Sequence, residues 1–146
     1  MEEVSRSRGE IQKIREGLFI TSFFAATKIE KLREKKIDCI LVCGSFLNEK
    51  FPNEFVYKTI EIGDNTNSPL LDHLGEAIRF IEEHRGNGKN VLLHCASGIS
   101  RSGSFLIGYL MYKEKKDYDE VLKDVVEKRE VIAPNPGFEE IFQRTI

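Results

Sequence analysis

The sequence predicts a single α/β domain, built on a mainly parallel central sheet of four to five strands with helices on both faces. Two observations support this prediction. Short apolar runs of strand length alternate along the chain with longer segments in which apolar residues recur at helical spacing. The length of 146 residues suits one hydrophobic core and leaves no room for two. We therefore expect one domain over residues 1–146, with the polar residues 1–8 as a flexible arm.

The strands are indicated by their apolar residues. Residues 39–43, Cys-Ile-Leu-Val-Cys, form a continuous apolar run, which is typical of a buried strand. Shorter or alternating runs predict three more strands, at residues 18–20, 56–62 and 91–93. We expect the strand at 91–93 to be central. In parallel sheets of this kind ligands bind beyond the carboxyl ends of the strands, so the loop after residue 93 is the expected binding site.

Five helices are predicted, at residues 27–35, after Asp72, at 101–114, after Asp119 and at 137–144. The second has apolar residues at helical spacing from Leu74 to Ile81, and Asp119 is the expected N-cap of the fourth. Residues 63–69 are dense in turn-forming residues and predict a loop. Residues 134–136, Pro-Asn-Pro, separate the last two helices.

The composition is that of an ordinary soluble globular protein, with 40% hydrophobic and 32% charged residues. A net charge of -2 provides no general basic field, so we expect neither nucleic acid nor a membrane as partner. No apolar segment is long enough to span a bilayer, and the N-terminus lacks the apolar core of a secretion signal. Three cysteines, an odd number, favour a reducing compartment, so we expect the cytoplasm and also the nucleus. The cysteines and histidines lack metal-ligand spacing, and we expect no metal and no cofactor. The sequence does not indicate the oligomeric state.

The most informative segment is residues 94–102, His-Cys-Ala-Ser-Gly-Ile-Ser-Arg-Ser, in which five residues separate Cys95 from Arg101. It joins a predicted strand to a predicted helix, a layout that directs backbone N–H groups and a helix N-terminus at an anion. A thiol in such surroundings, beside a cation, ionises readily and becomes a nucleophile. A guanidinium can bind two phosphoryl oxygens at once. The segment therefore predicts attack on phosphorus by Cys95, with Arg101 holding the phosphate.

The other residues of this segment have supporting roles in the prediction. Gly98 permits the turn that brings the amides inward, Ser100 is expected to brace the loop, and Ser102 to donate a hydrogen bond to the sulfur of Cys95. The predicted phosphate-binding residues are Ala96, Ser97, Gly98, Ile99, Ser100 and Arg101. Taken singly, the cysteine could be a small core residue and the arginine a solvent-facing one. Their combination in a strand–loop–helix context favours the chemical role.

Hydrolysis of a phosphate ester also requires a proton for the leaving oxygen. Asp64 lies in the predicted loop after a strand, upstream of the cysteine, and is the predicted general acid and, later, base. Asp72 is the alternative, although its position also fits a helix N-cap. Asp64 itself has a simpler interpretation as a turn aspartate. Its place in the loop favours the acid role.

Residues 94–102 match the His-Cys-x-x-Gly-x-x-Arg-Ser/Thr signature of the cysteine-dependent protein phosphatases, and the chain resembles the small dual-specificity branch of the protein tyrosine phosphatase superfamily. Three further segments are similar to that family: residues 18–26, Asp64 with residues 70–74, and the Pro-Asn-Pro-Gly-Phe of residues 134–138. The resemblance implies a protein-tyrosine-phosphatase-like fold and hydrolysis of phosphotyrosine and phosphoserine or phosphothreonine in proteins. It also implies a phosphocysteine at Cys95, phosphate binding by Arg101 and acid catalysis by Asp64.

The chain departs from the family pattern at Val42 or Cys43, where the family often has an asparagine. Related phosphatases that act on phosphoinositides carry a cysteine at a place similar to Cys43, where it can trap an oxidised nucleophile as a disulfide. The simpler alternative, which we favour, is a buried strand cysteine.

The sequence disfavours three other functions. A phosphoinositide phosphatase and an RNA 5′-triphosphatase on the same scaffold are disfavoured, because the variable positions of residues 94–102 carry no lysine for additional phosphates. A non-catalytic phospho-binding module is disfavoured because relatives of that kind typically lose the nucleophile, whereas Cys95 is present here.

Overall fold

The structure, a computed structural model, describes residues 9–45, 47–65, 67–96 and 100–144. Within these ranges the chain forms five strands and six helices. In chain order they are β1 (Gln12–Arg15), β2 (Leu18–Ser22), α1 (Phe23–Ala26), α2 (Ile29–Glu34), β3 (Cys39–Cys43), β4 (Val56–Ile60), α3 (Leu70–Gly86), β5 (Val91–Cys95), α4 (Arg101–Glu114), α5 (Tyr118–Lys128) and α6 (Pro136–Arg144).

The strands form one sheet in the order β1-β2-β5-β3-β4. Strand β5 is central and pairs in parallel with β2 and β3, and β3 pairs in parallel with β4. The first strand, β1, is antiparallel to β2. The predicted α/β fold with a mainly parallel sheet is confirmed. Strand β1 was not predicted, because it is an edge strand of largely polar residues with only Ile14 fully buried.

Both faces of the sheet are covered by helices. Alternate residues of the central strands enter two separate cores, since successive strand side chains point to opposite faces. Leu41 and Leu93 belong to one core, with buried residues of α3 to α6. Ile40 and Leu92 belong to the other, with buried residues of α1 and α2. No helix in the described ranges is long and apolar enough to cross a membrane.

Helix α4 has the predicted bounds, 101–114, and residues 102–110 are all buried. Strand β5 is longer than predicted and ends at Cys95, because its parallel pairing with β2 continues to the pair Ser22 and Cys95. Strand β4 ends at Ile60, two residues earlier than predicted. The single helix predicted over 27–35 is replaced by α1 and α2, which lie on either side of Thr27 and Lys28.

The starts of helices α3 and α5 also differ from the prediction. Helix α3 begins at Leu70, so Asp72 lies in its first turn and is not an N-cap. Helix α5 is capped by Asp117 and not by Asp119, and the Asp117 carboxylate accepts a hydrogen bond from the Glu120 N–H at 2.9 Å. Tyr118, the first residue of this helix, is buried and its ring stacks on an α6 phenylalanine.

Helix α6 begins at Pro136, one residue earlier than predicted. Proline suits the first position of a helix, because its missing N–H would have no partner there. The residue before it, Asn135, caps the helix: its Oδ1 accepts from the Phe138 N–H at 2.9 Å.

Candidate active site

The candidate site lies where the carboxyl end of the central strand meets the N-terminus of α4. Cys95 is the last residue of β5, next to the last residue of β2, Ser22. Its side chain is only 1% exposed. The site therefore lies at the sheet edge where ligands of parallel α/β folds bind.

The sulfur of Cys95 lies 3.1 Å from the hydroxyl oxygen of Ser102, within hydrogen-bond distance. Ser102 is the second residue of α4 and is fully buried. The first turn of α4 contains no acidic residue, so the positive end of the helix dipole is not neutralised beside the sulfur. This arrangement suits an anionic sulfur that accepts a hydrogen bond from the serine hydroxyl.

Arg101, the first residue of α4, extends towards the ends of β3 and β4. Its Nη1 donates to the Ile62 carbonyl at 3.3 Å. Its Nε is buried and has no hydrogen-bond partner among the described residues. Buried N–H groups are normally paired, so this donor is suited to an incoming anion.

Gly44, directly after β3, leaves the space that the guanidinium occupies. A Cβ at this position would lie 2.6 Å from the Arg101 Nη1, and the glycine has φ +152. Gly44 was not predicted as a functional residue. A single glycine directly after a buried strand was the available signal.

Of the predicted phosphate-binding residues, Ser97, Gly98 and Ile99 lie outside the described residues. The segment is held on both sides of them. The Ala96 carbonyl accepts from the Phe23 N–H at 3.1 Å. The buried Ser100 hydroxyl accepts from the Asn135 N–H at 3.0 Å, a contact of the bracing kind that we expect for Ser100.

Asp64 is exposed and follows β4, near the start of residues 63–69, the segment that we call the acid loop. Its Oδ1 accepts a hydrogen bond from the Asn135 Nδ2 at 3.0 Å. Asn135 also contacts Ser100, so one residue joins the acid loop to the segment after Cys95. The sequence motif at 134–138 pointed to Asn135, but no role was assigned to it.

His94, directly before the nucleophile candidate, is 2% exposed. Burial lowers the pKa of His94 to about 4, against an opposing hydrogen bond with the Cys95 backbone. Its ring packs at a tilt against Phe23, with centroids 6.0 Å apart. The imidazole is therefore neutral at pH 7 and adds no positive charge beside Cys95.

Cys43 ends β3, the strand beside β5, one residue beyond the pair of Val42 and His94. Burial raises the pKa of Cys43 well above its ordinary value, and the nearby Cys95 adds to this effect. A buried, protonated thiol fits the simpler interpretation of Cys43 as a core residue. Within the described residues, no three His, Cys, Asp or Glu side chains group as metal ligands.

The fold and the site define a class of protein: an α/β domain in which a cysteine lies between the end of a central strand and a helix N-terminus, a place suited to binding an anion. The family described as "Dual specificity phosphatase, catalytic domain" matches residues 18–143. The chain belongs to this family.

Individual relatives agree with this assignment. Dual specificity protein phosphatase 1B of Arabidopsis thaliana is 33% identical over 129 residues, which cover 88% of this chain and 77% of that protein. Protein phosphatase Slingshot homolog 3 of Rattus norvegicus is 34% identical over 121 residues, which cover 83% of this chain but 19% of that protein. The chain thus spans about a fifth of this larger relative. The crystal structure of the human tyrosine phosphatase-like serine/threonine/tyrosine-interacting protein has a TM-score of 0.88 and 31% identity, over 94% of this chain and 96% of that one.

Proposed function

We propose that the chain is a dual-specificity protein phosphatase that hydrolyses phosphotyrosine and phosphoserine or phosphothreonine through a phosphocysteine intermediate. The principal support is the placement of the Cys95 sulfur 3.1 Å from the Ser102 hydroxyl, at the N-terminus of the helix that begins with Arg101. Membership of the dual specificity phosphatase family supports the same activity.

In the first step the Cys95 thiolate attacks phosphorus, and a P–S bond forms as the P–O bond to the substrate breaks. The Arg101 guanidinium binds two non-bridging oxygens, and the helix N-terminus stabilises the negative charge that they carry. Asp64 in its protonated form donates a proton to the leaving oxygen. General acid catalysis of this kind contributes on the order of 10²–10⁴-fold.

In the second step a water molecule attacks the phosphocysteine. The Asp64 carboxylate accepts a proton from this water, a new P–O bond forms, and the P–S bond breaks with both of its electrons going to sulfur. Inorganic phosphate is released. The Ser102 hydroxyl donates a hydrogen bond to the departing thiolate, and a hydrogen bond to an ionised group is roughly twice as strong as a neutral one. The enzyme returns to its starting state.

Turnover of p-nitrophenyl phosphate tests the proposal. We expect hydrolysis by the wild-type chain and none by Cys95→Ser, because the hydroxyl is a far weaker nucleophile than a thiolate. Cys39→Ser is the matched control. Cys39 is also a buried strand cysteine, but it begins β3 and so lies at the opposite end of the sheet from Cys95. It should retain activity. A folded wild-type chain that is as inert as Cys95→Ser would contradict the proposal.

A non-catalytic phospho-binding function is the second candidate, because one solved neighbour is described as a phosphatase-like interacting protein. Binding of a phosphopeptide by wild type without its hydrolysis would favour this candidate. The nucleophile Cys95 in the present chain favours the enzyme.

We propose phosphorylated proteins as the partners, since the family is named for dual specificity. A thiolate nucleophile requires a reducing compartment to stay active, so we propose the cytoplasm and the nucleus as the location. Phosphopeptides accumulated by Cys95→Ser in cells, compared with wild type, would identify the substrates.

A further inference from the structure

Asn135 makes hydrogen bonds to three separate parts of the chain. Its Oδ1 accepts from the Phe138 N–H and caps α6. Its own N–H donates to the Ser100 hydroxyl at 3.0 Å. Its Nδ2 donates to Asp64 Oδ1 at 3.0 Å and to the Asn65 carbonyl at 3.1 Å.

The contacts of Asn135 with Ser100 and with the acid loop join parts of the chain that are far apart in sequence. Asp64 is 71 residues and Ser100 35 residues from Asn135 in the sequence. The cap of α6 needs only an acceptor atom at this position, which serine or aspartate would also supply. The contact with Asp64 needs a donor as well, and among the good capping side chains only asparagine has an amide that can accept at one end and donate at the other.

The donor end of the amide is directed at two exposed residues of the acid loop, Asp64 and Asn65. An acid on such a loop must be held close to its working position, since a misplacement of about 1 Å can cost roughly 10²-fold in rate. Nδ2 donates both of its hydrogen bonds to this loop, one to the Asp64 carboxylate and one to the carbonyl of the next residue, Asn65.

On the basis of the proposed function, we infer that Asn135 is a positioning residue for acid catalysis. Its side-chain amide holds Asp64 and Asn65, and its backbone N–H holds the Ser100 hydroxyl. Asn135 therefore fixes the acid loop relative to the residue that follows the phosphate-binding segment. It touches no reacting atom and acts through Asp64.

The test compares two substrates that differ in their need for an acid. Phenyl phosphate has a poor leaving group, whereas difluoromethylumbelliferyl phosphate has an acidic phenol that leaves without a proton. Asn135→Ser keeps a capping acceptor but removes the Nδ2 amide that donates to Asp64 and Asn65, and the shorter serine side chain cannot cap α6 and reach Asp64 at once. We expect it to lower kcat/KM on phenyl phosphate about tenfold more than on the activated ester. The ratio kcat/KM covers only the steps up to departure of the leaving group, whereas both substrates share the later hydrolysis of the phosphocysteine.

Two controls separate positioning from simple loss of structure. Asp117→Ala removes the equivalent N-cap of α5, and its effect should not depend on the leaving group. In an Asp64→Asn background, Asn135→Ser should cause no further loss on phenyl phosphate. Equal losses on both substrates, or the same loss in the Asp64→Asn background, would overturn the inference.

A measurement without turnover separates this inference from the proposed function. In the inactive Cys95→Ser protein, hydrogen exchange of the amides in residues 61–65 should be faster with Asn135→Ser than with Asp117→Ala. Identical exchange would overturn the anchoring role, whatever the activity of the wild-type chain. An inert wild-type chain with faster exchange in Asn135→Ser would instead contradict the proposed function alone.

Discussion

Replacing Gly44 by alanine should damage the site through Arg101. The added Cβ would lie 2.6 Å from Nη1 and 3.1 Å from Cζ of Arg101. Ordinary contact begins near 3.4 Å, so the guanidinium must retreat by about 0.8 Å. A displacement of about 1 Å at a positioned catalytic group can cost roughly 10²-fold. We therefore expect kcat/KM for p-nitrophenyl phosphate to fall by about 10²-fold.

The same substitution also strains the backbone, because Gly44 has φ +152. Strain of this kind costs on the order of 1–3 kcal/mol, so the variant should also be less stable in urea denaturation. Gly88→Ala is the matched control. Gly88 has φ +77, and a Cβ there would meet nothing within 4 Å. It should lose stability and keep its kcat/KM.

The two variants together test whether Arg101 must keep its place beside residue 44. If Gly44→Ala kept kcat/KM close to wild type, the guanidinium would not need its observed place beside residue 44. If Gly88→Ala lost as much activity as Gly44→Ala, the loss would come from reduced stability and not from displacement of Arg101.

Four further predictions follow from the site. Asp64→Asn should lower kcat/KM for phenyl phosphate on the order of 10²–10⁴-fold. It should lower kcat/KM for a substrate with an activated leaving group much less, and equal losses in kcat/KM would argue against an acid role. Ser102→Ala should lower kcat by about tenfold to a hundredfold, because a hydrogen bond to a charged group is worth about 1.5–3 kcal/mol. Stopped-flow traces should then show a burst of phenol as the phosphocysteine accumulates. An unchanged kcat would exclude a hydrogen bond from Ser102 to the departing thiolate. Burial lowers the pKa of His94 to about 4 from 6.5, so the unfolded chain binds the proton first, and stability that is complete above pH 6.5 is lost as the pH falls towards 4. Urea denaturation should show a loss of about 2 kcal/mol between about pH 7.5 and pH 5 in wild type that His94→Asn lacks, and an equal loss in the variant would point to other groups. Because burial raises the pKa of Cys43 well above its ordinary value, mild peroxide at neutral pH should leave no peptide that links Cys43 to Cys95, and finding one by mass spectrometry would establish the redox role instead.

The parts of the fold that a single sequence predicts are those whose burial is nearly complete. Strand β3 and helix α4 have the predicted bounds, because all of β3 and residues 102–110 of α4 are buried and their apolar residues form a clear pattern. Strand β1 escaped prediction because an edge strand is paired on one side only and contains mostly polar residues. The cap of α5 was misplaced because Asp117 and Asp119 are both good capping residues two positions apart, and only the structure shows which carboxylate accepts from an N–H of the first turn.

For the candidate site, the local motif pointed to Cys95, Arg101 and Ser102, which are close together in the sequence. The roles of Gly44 and Asn135 could not be predicted in the same way. The first is visible only when the guanidinium is in place, and the second depends on contacts between residues 64, 100 and 135 that tertiary packing brings together.

The central place of β5 has a consequence for how the molecule responds to heat or mild denaturant. A strand with neighbours on both edges and cores on both faces opens only when most of the domain opens. The exposed carboxylate at residue 64 depends instead on side-chain contacts that local fluctuations can break at small cost. On warming, the two parts of the proposed active site should therefore be lost in order: Asp64 loses its position first, while Cys95 remains at the end of an intact sheet.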